Sequence, residues 1–322
     1  MKSGPCCLGL TALLAFSALA LADPVGYTVA NYIIPSPNSG VSLVGVTDSG
    51  VAYGDEVLYD RPYTNNALII GFSANDGAIN YLPYSLSAVS STVVYAVSSG
   101  GVLAYSNASF TSGSVMIQNG ASVINTGLPA YTTPGFVNGL YAPTAVNNSG
   151  MLIGLYYLAG GGATPFEYQN GSVNLFSAQS PLPAGSYVTF TGINDLGQIV
   201  GLAHGTQNNV AFILSNGTYT PILTESYASN VGPTSINDSG VVSFSNGELY
   251  QNGQFYMNGA GFSTIDSVSN AGVLLGYDGD PSTTFSVAIP TSSPVPELGT
   301  LTLLSAAGLV FFGSRKFLKI YA

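Results

Sequence analysis

The chain is predicted to fold as an all-β propeller of about six four-stranded repeats, and three observations lead there. A five-residue pattern recurs at Val46-Thr47-Asp48-Ser49-Gly50, Val97-Ser98-Ser99-Gly100-Gly101, Val146-Asn147-Asn148-Ser149-Gly150, Ile193-Asn194-Asp195-Leu196-Gly197, Ile236-Asn237-Asp238-Ser239-Gly240 and Val268-Ser269-Asn270-Ala271-Gly272. Its glycines are 51, 49, 47, 43 and 32 residues apart, close to the ~40 to 50 of a four-stranded propeller blade. No segment between Asp23 and Pro290 sustains a helical period of apolar residues.

Each half of the repeat reads as a hairpin. Asn and Asp bond their own backbone and tolerate left-handed conformations, and the closing glycine accepts positive φ. Gly50, Gly101, Gly150, Gly197, Gly240 and Gly272 are therefore assigned as structural turn glycines. An apolar stretch follows each turn, often with a further glycine four places on, at Gly54, Gly154, Gly201 and Gly276. The second half runs through an Asn-Gly turn, as in Phe212 to Tyr219, Phe166 to Val173 and Val115 to Val123, the strongest short hairpin signal. The short last spacing implies very tight turns or a missing strand. The residues left at the two ends together make about one more repeat, so Tyr27 to Ile34 is expected to pair with the last two strands and close the ring.

The domain boundaries come from the termini. Residues 1–22 read as a secretory signal peptide: Lys2, an apolar stretch from Leu8 to Leu21, and the small residues Ala20 and Ala22 before Asp23, where signal peptidase would cut. Cys6 and Cys7 lie inside it, so the mature chain has no thiol and no disulfide. The propeller occupies 23–290. Residues 291–322 hold Val295-Pro296-Glu297, an apolar run from Leu298 to Phe312, and the basic cluster Arg315, Lys316 and Lys319. As a helix that run spans about 22 Å, a short transmembrane segment lengthened by snorkelling cations that the positive-inside rule leaves in the cytoplasm.

Short motif, apolar helix and basic end, in that order, resemble the PEP-CTERM sorting signal of bacterial exported proteins, with Leu298 where the family usually has a second proline. The resemblance implies an exosortase-type sorting enzyme as partner and transient anchoring in the inner membrane, followed by release to the cell surface or beyond. It further implies association with exopolysaccharide. The repeats in turn resemble the HAF repeat of bacterial extracellular proteins, where an Ile-Asn-x-x-Gly turn precedes a Val-Gly-Tyr-like strand and a His-Ala-Phe strand follows. Ala211-Phe212 keeps two of the naming residues, with Val210 in place of histidine; Pro165-Phe166 and Ser286-Val287 match less.

Composition limits the partners. Between Asp23 and Ser293 stand fourteen acids and one base, Arg61. Such a surface repels polyanions, so no nucleic-acid partner is expected. Catalytic candidates are few. His204, the only histidine, is placed in a loop after the strand Gln198 to Ala203. Asp55, Glu56, Asp60, Glu167, Glu225 and Glu248 are carboxylates without a spacing that singles out a glycosidase pair. Asp278-Gly279-Asp280 and Asp55-Glu56 lack the ligand alternation of a dedicated calcium loop. Asp48, Asp195 and Asp238 are accounted for by turn geometry. Neither a catalytic residue, a metal ligand nor a cofactor is assigned. Tyr27, Tyr32, Tyr81, Tyr84, Tyr156 and Tyr157 suit burial between sheets, and Asn107, Asn147, Asn170, Asn216 and Asn237 head glycosylation triplets that coincide largely with turns.

The expectation is an exported, non-catalytic binding or structural module of the cell surface or extracellular matrix. A carbohydrate-active enzyme on the same scaffold and a protein-binding adhesion module are the alternatives.

Overall fold

The computed structural model describes residues 26–34, 39–58, 68–82, 90–109, 113–130, 139–158, 162–177, 182, 186–205, 209–222, 231–278 and 284–291. The cleavage residues Ala20, Ala22 and Asp23, the motif Val295, Pro296 and Glu297, and the cluster Arg315, Lys316 and Lys319 lie outside them.

Every regular element among the described residues is a β-strand. The first is β1 (Tyr27–Ile33). Two antiparallel meanders follow, one of β2 (Ser39–Val46), β3 (Ala52–Leu58), β4 (Leu68–Asn75) and β5 (Ala78–Tyr81), the other of β6 (Ser90–Val97), β7 (Leu103–Ser109), β8 (Ser114–Asn119) and β9 (Ser122–Pro129). A single parallel pair, Ile70 with Thr92, splices them into an eight-stranded sheet. Three four-stranded meanders come next: β10 (Leu140–Val146), β11 (Leu152–Tyr157), β12 (Ala163–Gln169) and β13 (Ser172–Leu175); β14 (Tyr187–Ile193), β15 (Ile199–His204), β16 (Asn209–Ser215) and β17 (Thr218–Pro221); β18 (Pro233–Ile236), β19 (Val242–Phe244), β20 (Glu248–Gln251) and β21 (Gln254–Met257). The last sheet holds β22 (Thr264–Val268), β23 (Leu274–Tyr277) and β24 (Thr284–Pro290), completed by β1 from the other end of the chain.

The first strand of each meander neighbours the next around a closed circle: β2, β6, β10, β14, β18, β22 and back to β2. This is a β-propeller. The closure differs in one detail from expectation: β1 pairs with β24 alone, over its whole length, while β24 itself covers β23. The short last spacing reflects tight turns and not a lost strand, since β19 to β22 are all present and β19 has only 3 residues.

Apolar burial fills the seams between sheets. Tyr32, Phe72, Leu275 and Phe285 join the last sheet to the first; Phe166, Val115 and Leu152 lie in one cluster, and Phe190, Phe212 and Ile153 in another. Six phenylalanines, Phe72, Phe166, Phe190, Phe212, Phe244 and Phe285, are among the largest fully buried side chains. The tight hairpins carry the left-handed pairs that their sequence calls for: Asn170 and Gly171 (φ 51 and 84), Asn216 and Gly217 (φ 49 and 75), and Asn252 and Gly253 (φ 51 and 86).

The glycines four places after the turn do a different job. Gly54, Gly154, Gly201 and Gly276 sit on the second strand, where a Cβ would strike the backbone carbonyl of Ser42, Ala142, Thr189 or Thr264 on the first. In three of the four a phenylalanine of the third strand pairs with the glycine: Phe72, Phe166 and Phe212. At Gly54 and Gly201 the ring of Phe72 or Phe212 takes the space a Cβ would need, and at Gly154 the backbone of Ala142 and Pro143 does. Gly201→Ala is expected to lower stability by about 1–3 kcal/mol through overpacking in urea denaturation. Gly162→Ala, whose Cβ would meet only Leu158 at 3.7 Å, serves as the unchanged control.

Candidate functional site: an axial cavity above a ring of turns

The recurring turns assemble into a ring, bonded first within each turn and then between turns. In all six, the side chain of the pattern's second residue accepts the amide four residues on. Thr47 Oγ1 accepts from Val51 at 3.1 Å, Ser98 Oγ from Val102 at 2.9 Å, Asn147 Oδ1 from Met151 at 3.0 Å. Asn194 Oδ1 does so from Gln198 at 2.9 Å, Asn237 Oδ1 from Val241 at 2.9 Å and Ser269 Oγ from Val273 at 3.3 Å. The closing glycines Gly50, Gly101, Gly150, Gly197, Gly240 and Gly272 all have φ between 74 and 87, a region open to glycine at little cost.

Bonds between turns close the circle. Asp48 N–H donates to Ser99 O (2.8 Å), Gly100 N–H to Asn148 Oδ1 (2.8 Å) and Asn148 N–H to Asp195 Oδ1 (2.7 Å). Asp195 N–H donates to Asp238 Oδ1 (2.8 Å), Asp238 N–H to Asn270 Oδ1 (2.7 Å), and Ala271 N–H returns to Asp48 Oδ1 (2.7 Å). At the centre, Asn270 Nδ2 reaches Ser99 Oγ (2.8 Å), Asp195 Oδ2 (3.1 Å) and Asp238 Oδ2 (2.7 Å). Burial and the nearby Asp195 charge raise the Asp238 carboxyl, while its bonds to the Asp195 amide and Asn270 work against that. These turn aspartates are hydrogen-bond acceptors that tie repeat to repeat.

Beside the ring lies a cavity of about 520 Å³ whose wall draws on all six inner strands. Each inner strand slips register by one residue against its partner, at Val44, Tyr95, Thr144, Thr191, Thr234 and Asp266. A bulge re-aims the extra side chain, and all six of these residues line the cavity. In every repeat the bulge residue stands six places before the turn glycine. That spacing was available in the sequence, yet nothing in the residue types flagged it, because valine, tyrosine, threonine and aspartate share no chemistry.

The wall is rich in acceptors. Thr144 Oγ1 donates to Phe190 O at 2.8 Å, and Thr234 Oγ1 bonds Ser243 Oγ at 2.7 Å, so a threonine whose proton is committed keeps lone pairs for a ligand. Three carboxyls join them, Asp195 from the turn ring and, on the strands, Asp55 and Asp266. Asp55 Oδ1 accepts the Val94 amide at 2.9 Å, bridging β3 to β6. Burial pushes the Asp55 carboxyl up to about 7, against that bond, and pushes the Asp266 carboxyl up to about 6. Among the described residues, Asp266 Oδ2 is buried without a hydrogen-bond partner. No lysine, arginine or histidine is among the residues lining the cavity.

The other candidates fall elsewhere. Glu56 points away from the axis to accept the Tyr81 hydroxyl at 2.6 Å, Glu167 lies near Asn174 on an outer hairpin, and Glu248 pairs with Asn246. Asp60, Glu225, Tyr84, Gly279 and Asp280 lie outside the described residues. His204 ends β15 instead of occupying a loop. Its ring stacks on Tyr187 at 4.3 Å and its Nε2 bonds Thr189 Oγ1 at 3.1 Å, because the β14–β15 register sets Tyr187 opposite it. Asn147 and Asn237 are buried and donate to Asn194 O and Ser269 O, which withdraws them from glycosylation in the folded protein. Among the described residues no three His, Cys, Asp or Glu side chains group as metal ligands.

The raised carboxyls set a sign for pH dependence. Folded Asp55 and Asp266 hold protons that the unfolded chain, near 3.8, has released. Their stabilising contribution is complete below that value and is lost as pH rises through about 6 and about 7. Thermal melts should show Asp55→Asn matching wild type at pH near 4 and melting above it at pH near 8, since the amide keeps an acceptor for Val94 without the buried charge.

No protein-family model matches the chain, and no curated protein matches it in sequence. Solved structures are similar in shape. The β-propeller domain of the Trilobed protease from Pyrococcus furiosus aligns with TM-score 0.46 and 11% identity over 80% of this chain and 99% of that one. The calcium-binding protein regucalcin from Agrobacterium tumefaciens aligns with TM-score 0.45 and 11% identity over 85% and 99%. TolB from Acinetobacter baumannii aligns with TM-score 0.41 and 12% identity, over 78% of this chain and 54% of TolB.

Proposed function

We propose that this chain is an exported, non-catalytic propeller of the cell surface or extracellular matrix that associates with exopolysaccharide through its axial cavity. The observation that carries it is the cavity wall: hydroxyl and carboxyl acceptors from Thr144, Thr191, Thr234, Asp55 and Asp266, with no cationic side chain. Such a wall is complementary to ligand hydroxyls, which arrive as donors, and disfavours anions. In this proposal the propeller has six blades, the eight-stranded sheet counting as β2–β5 and β6–β9 joined at Ile70 and Thr92. Signal peptidase releases Asp23, and an exosortase-type enzyme acts at Val295-Pro296-Glu297 while Leu298–Phe312 holds the chain in the inner membrane.

Two measurements test this. Affinity electrophoresis in neutral polysaccharide gels should retard the wild type, and Thr191→Val with Thr234→Val should weaken retention by about tenfold, near 1.4 kcal/mol; no retardation in any gel would refute the ligand. Intact mass spectrometry of protein from its own host should find a product beginning at Asp23 and ending between Val295 and Leu298. Recovery of Tyr321 and Ala322 in the mature product would make the tail a plain anchor.

One observation favours a second reading, a glycoside-acting enzyme: two carboxyls with raised proton affinity line one cavity, as a general acid and its partner would. Turnover of a polysaccharide that vanishes in Asp55→Asn and Asp266→Asn would establish it.

A further inference from the structure

We propose that β1 is a docking edge for the β1 strand of a second copy of this chain, the two strands pairing antiparallel about a two-fold axis at Ala30. The inference concerns the rim of the propeller and is independent of the ligand assigned to its axis.

The first support is where the charge lies. The chain carries a net charge of −10, which keeps copies apart. Yet none of the outermost strands β1, β5, β9, β13, β17 and β21 contains an Asp, Glu, Lys or Arg. Six of the described acids lie inward, Asp48, Asp195 and Asp238 in the turn ring, Asp55 and Asp266 on the cavity and Glu56 buried at 2% exposure, while Asp76 is exposed on the β4–β5 hairpin and Glu167 and Glu248 stand on β12 and β20. Natural sheet edges are ordinarily guarded by charge, proline, bulges or brevity.

Brevity guards β5, β13, β17 and β21, each of 4 residues. A register shift, Gly127 at φ 74 and Pro129 guard β9. Among the described residues nothing of the kind guards β1. It has 7 residues in unbroken register with β24 and contains neither glycine nor proline. Val29 is 41% and Ile33 70% exposed.

Its outward backbone groups, which pair with no other described strand, form a self-complementary row. Thr291 N–H donates to Gly26 O at 2.8 Å, which makes Gly26 and Thr291 a hydrogen-bonded pair in the register that β1 continues. Alternation then turns the N–H and C=O groups of Thr28, Ala30 and Tyr32 toward β24 and those of Tyr27, Val29, Asn31 and Ile33 outward. A second β1 laid antiparallel about Ala30 sets Val29 opposite Asn31 and Tyr27 opposite Ile33, so every outward group meets an outward group. Full pairing makes about eight backbone hydrogen bonds with no like charges across the joint. One edge contact is a small interface, so the dimer is concentration-dependent, as suits a protein crowded at a surface or in a matrix.

The test is the molar mass of the mature chain by light scattering across a wide range of concentration. Val29→Pro removes an outward N–H and spares the ladder to β24, a placement that edge strands tolerate; Val29→Lys sets like charges near the two-fold axis. The mature chain has no cysteine of its own, so Ala30→Cys supplies a direct probe under mild oxidation. The expected result is a wild-type mass that doubles as concentration rises, both Val29 variants monomeric with unchanged circular dichroism, and a disulfide-linked Ala30→Cys dimer. A wild type monomeric throughout, a Val29→Pro variant that dimerises as well as wild type, or cross-linking by Ile124→Cys on β9 in place of Ala30→Cys would overturn the proposal.

Discussion

A circle of hydrogen bonds between six short turns is the constraint on which this propeller depends. Each turn spends one side chain on itself, its Thr, Ser or Asn closing the loop onto the amide four places on, and the following residue accepts an amide of a neighbouring turn, through its side chain in five turns and through the backbone carbonyl at Ser99. Propeller sheets touch mainly through side chains, so nothing in one sheet's own ladder dictates the angle to the next. The turn circle supplies that angle at the axis, and the phenylalanine-filled seams hold it farther out. These bonds are exposed or half-buried, and at about 0.5–1.5 kcal/mol net for a typical hydrogen bond each of them penalises a sheet that drifts out of place.

The same strand that feeds the turn also shapes the cavity. One bulge per inner strand, six residues before the turn glycine, breaks the pleat's alternation and hands a side chain to the axis. Ladder and turn keep a repeated structure while the bulge position is free to vary in chemistry. Threonine occupies it three times, with valine, tyrosine and aspartate at the rest. Repetition therefore builds the frame, and variation at one register position sets the chemistry that the cavity wall presents.

The joint between the first two meanders is unlike the rest. Where other seams are filled by apolar clusters, here Ile70 pairs with Thr92 in parallel and Asp55 receives the Val94 amide. A carboxyl that bridges two meanders from a buried position belongs both to the assembly and to the cavity wall. Its raised proton affinity follows from that double duty, since the bond to Val94 does not fully offset the loss of water.

The strands, the hairpin turns and the ring-closing role of the N-terminal segment were legible in the sequence because each is local. Asn-Gly and Asn-Asp-x-Gly dictate backbone angles within a few residues, and apolar runs between them leave one kind of element to form. The glycines after each turn were visible too, but their reason was not: only the crossing of the first-strand carbonyl with the Phe212-type ring explains why no side chain fits at Gly201. His204 was misplaced into a loop because register, not residue type, sets where a strand ends. The axial site was hidden altogether. Which of some two hundred and seventy residues converge on an axis is a product of sheet rotation about a closed ring, and it brings together Asp55 and Asp266, far apart in the chain and unremarkable in spacing. Local backbone chemistry determined the elements; closing them into a circle decided the site, because convergence is a property of the assembled ring and of no single repeat.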